Sequence, residues 1–262
     1  MNKLSIISAT IAAFTFATTV SAAEVSGEVN VEITENAAGK HIATTTLGVD
    51  FGASDLAFGS VETESVDGAT FTIDTWNIGT NVGGVTVSFG KQEDLMVEND
   101  FEIVGGDTIA APADDHESIM LSYGSATLMV GLTDVTADVT EVENVQVAYG
   151  TVVAGADVTG VVDLNNFTNE TTVGVKSSFM LNDSIVIGGI ATYGTDTELF
   201  GYEASAGYGI ATGFVNGDDT DMLQNVGVGV STEFNGLGVY AEGSYNIDAK
   251  DTTVGMGVTF NF

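Results

Sequence analysis

The sequence predicts an all-β fold, a transmembrane antiparallel β-barrel of about sixteen strands. Three observations predict it. Apolar residues alternate with small or polar ones at period two, segment after segment. Tight turn-like joints alternate with long polar ones along the chain. The 262 residues include 33 glycines and a single proline, Pro112, a composition that weakens helices.

The first residues stand apart from this pattern. Lys3 precedes the apolar run LSIISATIAAFTFA, and the small residues Ser21, Ala22 and Ala23 follow. This is the layout of a secretory signal, too short to span a bilayer as a helix. Val20 and Ala22 fit the −3 and −1 positions of a cleavage site, so residues 1–22 are expected to be removed and 23–262 to form one domain. Every acid lies beyond the signal, so 37 Asp and Glu face only Lys40, Lys91, Lys176 and Lys250, with no arginine. That balance excludes nucleic acid as a partner, since phosphates demand Lys and Arg. With 44% hydrophobic residues the chain is too apolar for disorder. With no cysteine, neither disulfides nor thiolate metal sites are available.

No later apolar stretch approaches the roughly 18–20 residues of a membrane helix. The strands are read instead near 24–33, 41–51, 55–63, 69–78, 83–91, 117–124, 125–133, 143–150, 151–161, 170–181, 184–193, 197–207, 208–216, 222–234, 237–247 and 252–262. The last is the clearest: Val254, Met256, Val258, Phe260 and Phe262 share one face, Thr253, Gly255, Gly257, Thr259 and Asn261 the other. In LGVYAEGSYNID, Leu237, Val239, Ala241 and Tyr245 oppose Gly238, Tyr240, Glu242, Ser244 and Asn246. Even-numbered joints are short, at 52–55, Gly124-Ser125, Gly150-Thr151, Asn182-Asp183, Tyr208-Gly209 and Asn235-Gly236; Asn-Gly suits a type I′ hairpin. Odd-numbered joints are longer and polar, at 34–40, 64–68, 92–116, 134–142, 162–169 and 217–221. Short turns on one rim and long loops on the other are the mark of an outer-membrane barrel. A soluble sandwich also alternates. Against it stand the export signal, the Gly-, Ser-, Thr- and acid-rich second face, and aromatics near strand ends: Phe51, Phe89, Tyr123, Tyr149, Tyr193, Tyr208, Phe234, Phe260 and Phe262.

On these residues the chain resembles the general bacterial outer-membrane porins, the alphaproteobacterial type above all. The resemblance rests on the start EVSGEVNVEI, the rhythm of eight long loops and seven short turns, the long segment KQEDLMVENDFEIVGGDTIAAPADDHE after the fifth strand, and the ending VTFNF with its terminal Phe262. It implies a gram-negative diffusion channel for small hydrophilic solutes, set among outer-membrane lipid and lipopolysaccharide. It also implies a third loop folded into the lumen, association as a homotrimer and a terminal aromatic read by the assembly machinery. Family members commonly set loop acids against wall arginines. This chain has no arginine, which puts a transverse field in doubt and favours a lumen negative throughout.

The pore-lining residues expected from the loop are Glu93, Asp94, Glu98, Asp100, Glu102 and Asp107. From the wall the strand phase selects Glu28, Glu32, Asp50, Asp74, Asp157, Glu203, Glu233 and Glu242, with Lys176 the one inward cation, because a charge in lipid is costly. Crowded carboxylates concentrate cations, take up protons or recruit a hard divalent ion. Glu98, Asp100 and Glu102 are the candidate Ca²⁺ ligands, set against solvated carboxylates with diffuse counterions. The segment GDDTD at 217–221 is either a plain exposed loop or a cation bridge to lipopolysaccharide.

No enzyme is expected. His41 and His116 fall at loop edges outside any triad setting, and GVGVS lacks the strand-turn-helix context of a nucleotide site. GGDTIA at 105–110 occurs once, where a calcium solenoid needs a repeat. One alternative from another class remains: a secreted or surface acidic β-protein, an adhesin or calcium-binding component, without a pore.

Overall fold

A computed structural model of the chain describes residues 24–35, 41–54, 57–98, 116–132, 141–165, 171–182, 184–219, 222–234 and 237–262. The strands are β1 (Glu24–Glu35), β2 (His41–Ser54), β3 (Ala57–Val66), β4 (Thr72–Val82), β5 (Val85–Gln92), β6 (His116–Tyr123), β7 (Ala126–Leu132) and β8 (Val142–Val153). They continue as β9 (Ala156–Asn165), β10 (Thr171–Asn182), β11 (Ile185–Gly194), β12 (Phe200–Tyr208), β13 (Ala211–Asp218), β14 (Asn225–Phe234), β15 (Leu237–Asn246) and β16 (Asp251–Asn261). One helical turn, α1 (Leu95–Glu98), follows β5. No helix among the described residues is long and apolar enough to cross a membrane.

Each strand pairs with its neighbours in sequence, and β1 pairs antiparallel with β16, so the sheet closes as a sixteen-stranded barrel. Closure leaves no edge strand, which is what a sheet surrounded by lipid requires. At the seam the Gly27 and Phe262 N–H groups each donate to the other's carbonyl at 2.9 Å. Both chain ends of the sheet therefore lie on the rim that carries the even-numbered turns.

Several joints differ from the sequence reading. The β4–β5 turn is Gly83-Gly84, with φ of 61° and 85°, so Gly83 does not begin a strand. Two adjacent positive φ values define a type I′ turn, and glycine takes both without strain. The β8–β9 turn is Ala154-Gly155, not Gly150-Thr151: β8 runs on to Val153, and Ala154 itself adopts φ 53°. Likewise β12 ends at Tyr208 and β13 runs from Ala211 to Asp218, so Asp218 is strand rather than loop. β5 and β6 each run one residue past the expected ends, to Gln92 and His116, and Lys91 pairs with Glu117. The expected Asn235-Gly236 turn and residues 1–23, including the cleavage site, lie outside the described residues.

Alternation gives every strand two rows. The apolar row is outermost and exposed, as with Tyr123 at 68%, Tyr208 at 69% and Phe234 at 74%. Phe51, Tyr123, Tyr149, Phe179, Tyr208 and Phe234 all stand on it toward the short-turn rim. On the odd-loop side, Phe200 and Tyr202 stack with centroids 6.3 Å apart. Belts of this kind match the two interfaces of a bilayer. The inner row is glycine, hydroxyl, amide and carboxylate. The buried apolar cluster is small: Leu95, Met96, Met129, Ala148 and Val161, flanked by Met120 and Ile190. It sits where α1 meets the inner row.

Candidate functional site

Residues directly opposite in a ladder project to the same face, so register reads out the inner rows. Across β1, β2 and β3 these are Ser26–Asp50–Ser60, Glu28–Gly48–Glu62 and Asn30–Thr46–Glu64. Across β14, β15, β16 and β1 they are Glu233–Gly238–Thr259–Asn30 and Ser231–Tyr240–Gly257–Glu32, and Glu242 pairs with Gly255. Six neighbouring strands, β14 to β3, thus carry Glu28, Glu32, Asp50, Glu62, Glu64, Glu233 and Glu242 on one continuous inner surface. The carboxylates lean over glycines. Oε1 of Glu242 and Oε1 of Glu32 lie 3.4 and 3.6 Å from the point where a Gly255 side chain would begin. Oε2 of Glu62 lies 3.8 Å from the same point on Gly48. The Tyr240 ring lies flat on Gly257, where a Cβ would collide with it, and its hydroxyl is hydrogen-bonded to Asn30 and Glu32.

The wall half a circuit away is different. Its inner row holds Met120, Met129, Asn144, Gln146, Ala148, Val161 and one carboxylate, Asp163 opposite Gln146, and α1 lies on it. Asp94 and Gln146 are fully buried. The Leu95 N–H donates to Gln146 Oε1 at 2.7 Å, and the Met96 N–H to Asp94 Oδ1 at 2.8 Å. Gln146 Nε2 donates to Asp94 Oδ2, and Asn144 Nδ2 reaches the same oxygen at 3.4 Å. Upstream, Gln92 accepts from Ser88 Oγ at 2.6 Å and donates to Ser118 Oγ at 2.8 Å.

Of the wall residues selected from sequence, Glu28, Glu32, Asp50, Glu233 and Glu242 fall on the β14–β3 surface. Asp74 sits in a bulge: Val61 pairs with Trp76 and Thr63 with Ile73, leaving Asp74 and Thr75 both across from Glu62. Asp157, Lys176 and Glu203 also lie on the inner row, on β9, β10 and β12; Ile190 separates Lys176 from Glu203. Of the loop acids, Glu93 is exposed and Asp94 is turned into the wall. Glu98 ends α1. Asp100, Glu102 and Asp107 lie outside the described residues, as does most of 92–116. Sequence reasoning missed Glu62 and Glu64, and also Asp163 and Asp218, both buried on the inner row. Among the described residues no three His, Asp or Glu side chains converge as a metal site requires. His41 is exposed, its Nδ1 3.5 Å from Glu35 Oε2 at a loop edge.

No family model matches the chain, and no curated protein matches it by sequence. Solved structures do match. One variant of the Rhodopseudomonas blastica porin superposes with a TM-score of 0.70 at 15% identity, over 92% of this chain and all of that one. A triple variant of the same porin gives 0.68 at 15% identity, with the same coverage of 92% and 100%. OmpT of Vibrio cholerae with its loop L8 deleted, an outer-membrane protein, gives 0.65 at 12% identity, over 92% of this chain and 99% of that one. The chain has the porin fold. At identities this low the porin fold is carried by strand rhythm and closure rather than by shared residues, in keeping with a wall built here without arginine.

Proposed function

We propose that the chain is a bacterial outer-membrane diffusion channel, exported by its N-terminal segment, that passes small hydrophilic solutes passively and favours cations. The observation that carries this reading is the carboxylate surface from β14 to β3, on the inner side of a closed barrel whose outer row is apolar. Such a wall suits water and ions. Fixed negative charge between low-dielectric walls raises cation and lowers anion concentration, chiefly within a Debye length of about 8–10 Å. The lining in this reading comprises Glu28, Asp50, Asp74, Lys176, Glu203, Glu233 and Glu242 from the wall, joined by Glu32, Glu62 and Glu64. From the loop come Glu93, Asp94, Glu98, Asp100, Glu102 and Asp107, with Asp94 acting from beneath. Ca²⁺ at Glu98, Asp100 and Glu102 belongs to this proposal as an occupant of the constriction, not as a requirement for passage. Homotrimers in the membrane, contact with lipopolysaccharide and the absence of enzymatic activity complete it. Purified protein added to a planar bilayer should give discrete conductance steps in KCl, and liposomes containing it should swell in small sugars. A properly closed barrel, judged by heat-modifiable migration, that gives neither would overturn the reading in favour of a surface β-protein.

A further inference from the structure

We propose that Asp94 is a positioning residue for permeation: with Gln146 it latches α1 to the β7–β9 wall and so keeps the open part of the lumen on the β14–β3 side. This rests on the channel reading above. Asp94 is fully buried, and a buried carboxylate is tolerated only when several donors satisfy it. Gln146 Nε2, Asn144 Nδ2 and the Met96 N–H supply them. The Gln146 side chain works from both ends, since its Oε1 also accepts the Leu95 N–H at 2.7 Å. Asn144 is the looser member, its bond being 3.4 Å and its Oδ1 without a partner. Gln146 therefore does most of the holding. Leu95 and Met96, at 1% and 3% exposure, press onto Met129, Ala148 and Val161 and keep water off these bonds, which strengthens them. The latch joins residues 52 positions apart and lies half a circuit from β16.

The chemistry of the pair prescribes the test. Gln146→Glu places two carboxylates face to face and removes the donor to Asp94, so α1 should leave the wall. Adding Asp94→Asn exchanges amide and carboxylate. The new amide donates to the carboxylate at 146, that carboxylate accepts the Leu95 N–H, and the amide oxygen accepts the Met96 N–H, so the latch should reform. Two readouts follow it. In planar bilayers Gln146→Glu should lose the single steady conductance level of the parent, and the exchanged pair should regain it. Independently of any current, Met96→Cys, in a chain with no native cysteine, should be protected from a maleimide in the parent. It should be labelled many-fold faster with Gln146→Glu and be protected again in the exchanged pair. Heat-modifiable migration confirms a closed barrel in each. Unchanged protection and conductance in Gln146→Glu, or an exchanged pair that behaves like the single variant, would overturn the latch. Absence of parent current with the labelling pattern intact would instead count against the channel reading alone.

Discussion

The wall beneath α1 and the wall facing it across the barrel follow the same strand rhythm and differ in chemistry. Under α1 the inner row is Met129, Asn144, Gln146, Ala148, Val161 and Asp163, almost without exposure and with a single carboxylate. From β14 to β3 the inner row is carboxylate over glycine, and Glu28, Glu233 and Glu242 are exposed. Amides and methionines tolerate being covered, because amides can pair with a neighbouring backbone and methionine fills irregular gaps. Carboxylates need water or donors. The two inner rows thus differ in what they tolerate being covered by, even though the outer row is apolar on both sides.

The comparison can be broken most forcefully by placing charge on the wrong side. Met129→Glu puts an uncompensated carboxylate under α1 and should destabilise the barrel by about 3–5 kcal/mol, measured as urea unfolding in lipid vesicles. The converse change, Glu62→Met on the open wall, should stay within about 0.5 kcal/mol. Equal effects would mean that the two walls are equally covered. Next in size is the outer row. Val147 stands between the inward Gln146 and Ala148 and is 45% exposed, so Val147→Lys meets lipid and should cost roughly 2–4 kcal/mol in the same assay. Tyr208→Lys, at the rim, should cost about 0–1 kcal/mol.

Selectivity sharpens the comparison further. Changing Glu28, Glu32, Glu62 and Glu242 together to Gln should lower the K⁺/Cl⁻ permeability ratio about tenfold at low salt, in line with the enrichment such fields produce. Changing Glu98, Asp100 and Glu102 to Gln, Asn and Gln should weaken the preference less, and Lys176→Glu should raise it slightly. If the loop triple outweighs the wall quadruple, the constriction rather than the open wall governs ion choice. In every case the preference should fade as salt screens the carboxylates.

How much of this was legible in the sequence depended on range. The terminal strand declared its phase because Val254, Met256, Val258 and Phe260 mark every second position, and β16 runs there as expected. Glu62 and Glu64 escaped because their alternate neighbours are Val61, Thr63 and Ser65, a row with one aliphatic side chain and so a weak phase signal. Asp218 was hidden in the polar run GDDTD, which reads as loop until its pairing with Gly201 is known. The β8–β9 turn was misplaced because Gly150 is the more conspicuous breaker, whereas the chain turns at Gly155 with Ala154 forced to positive φ. Asp94 looked like one more loop acid. Nothing local separates it from Glu93, since its partners Asn144 and Gln146 lie 50 and 52 residues away and only barrel closure brings them together.

The central claim is that the open carboxylate wall makes a cation-favouring channel, and the reversal potential of the unmodified protein under a KCl gradient in a planar bilayer tests it most directly. With dilute salt on one side, the account predicts a potential of the sign that K⁺ selectivity imposes, shrinking as the mean salt concentration rises. A potential of the opposite sign, or one indistinguishable from zero at low salt, would contradict it.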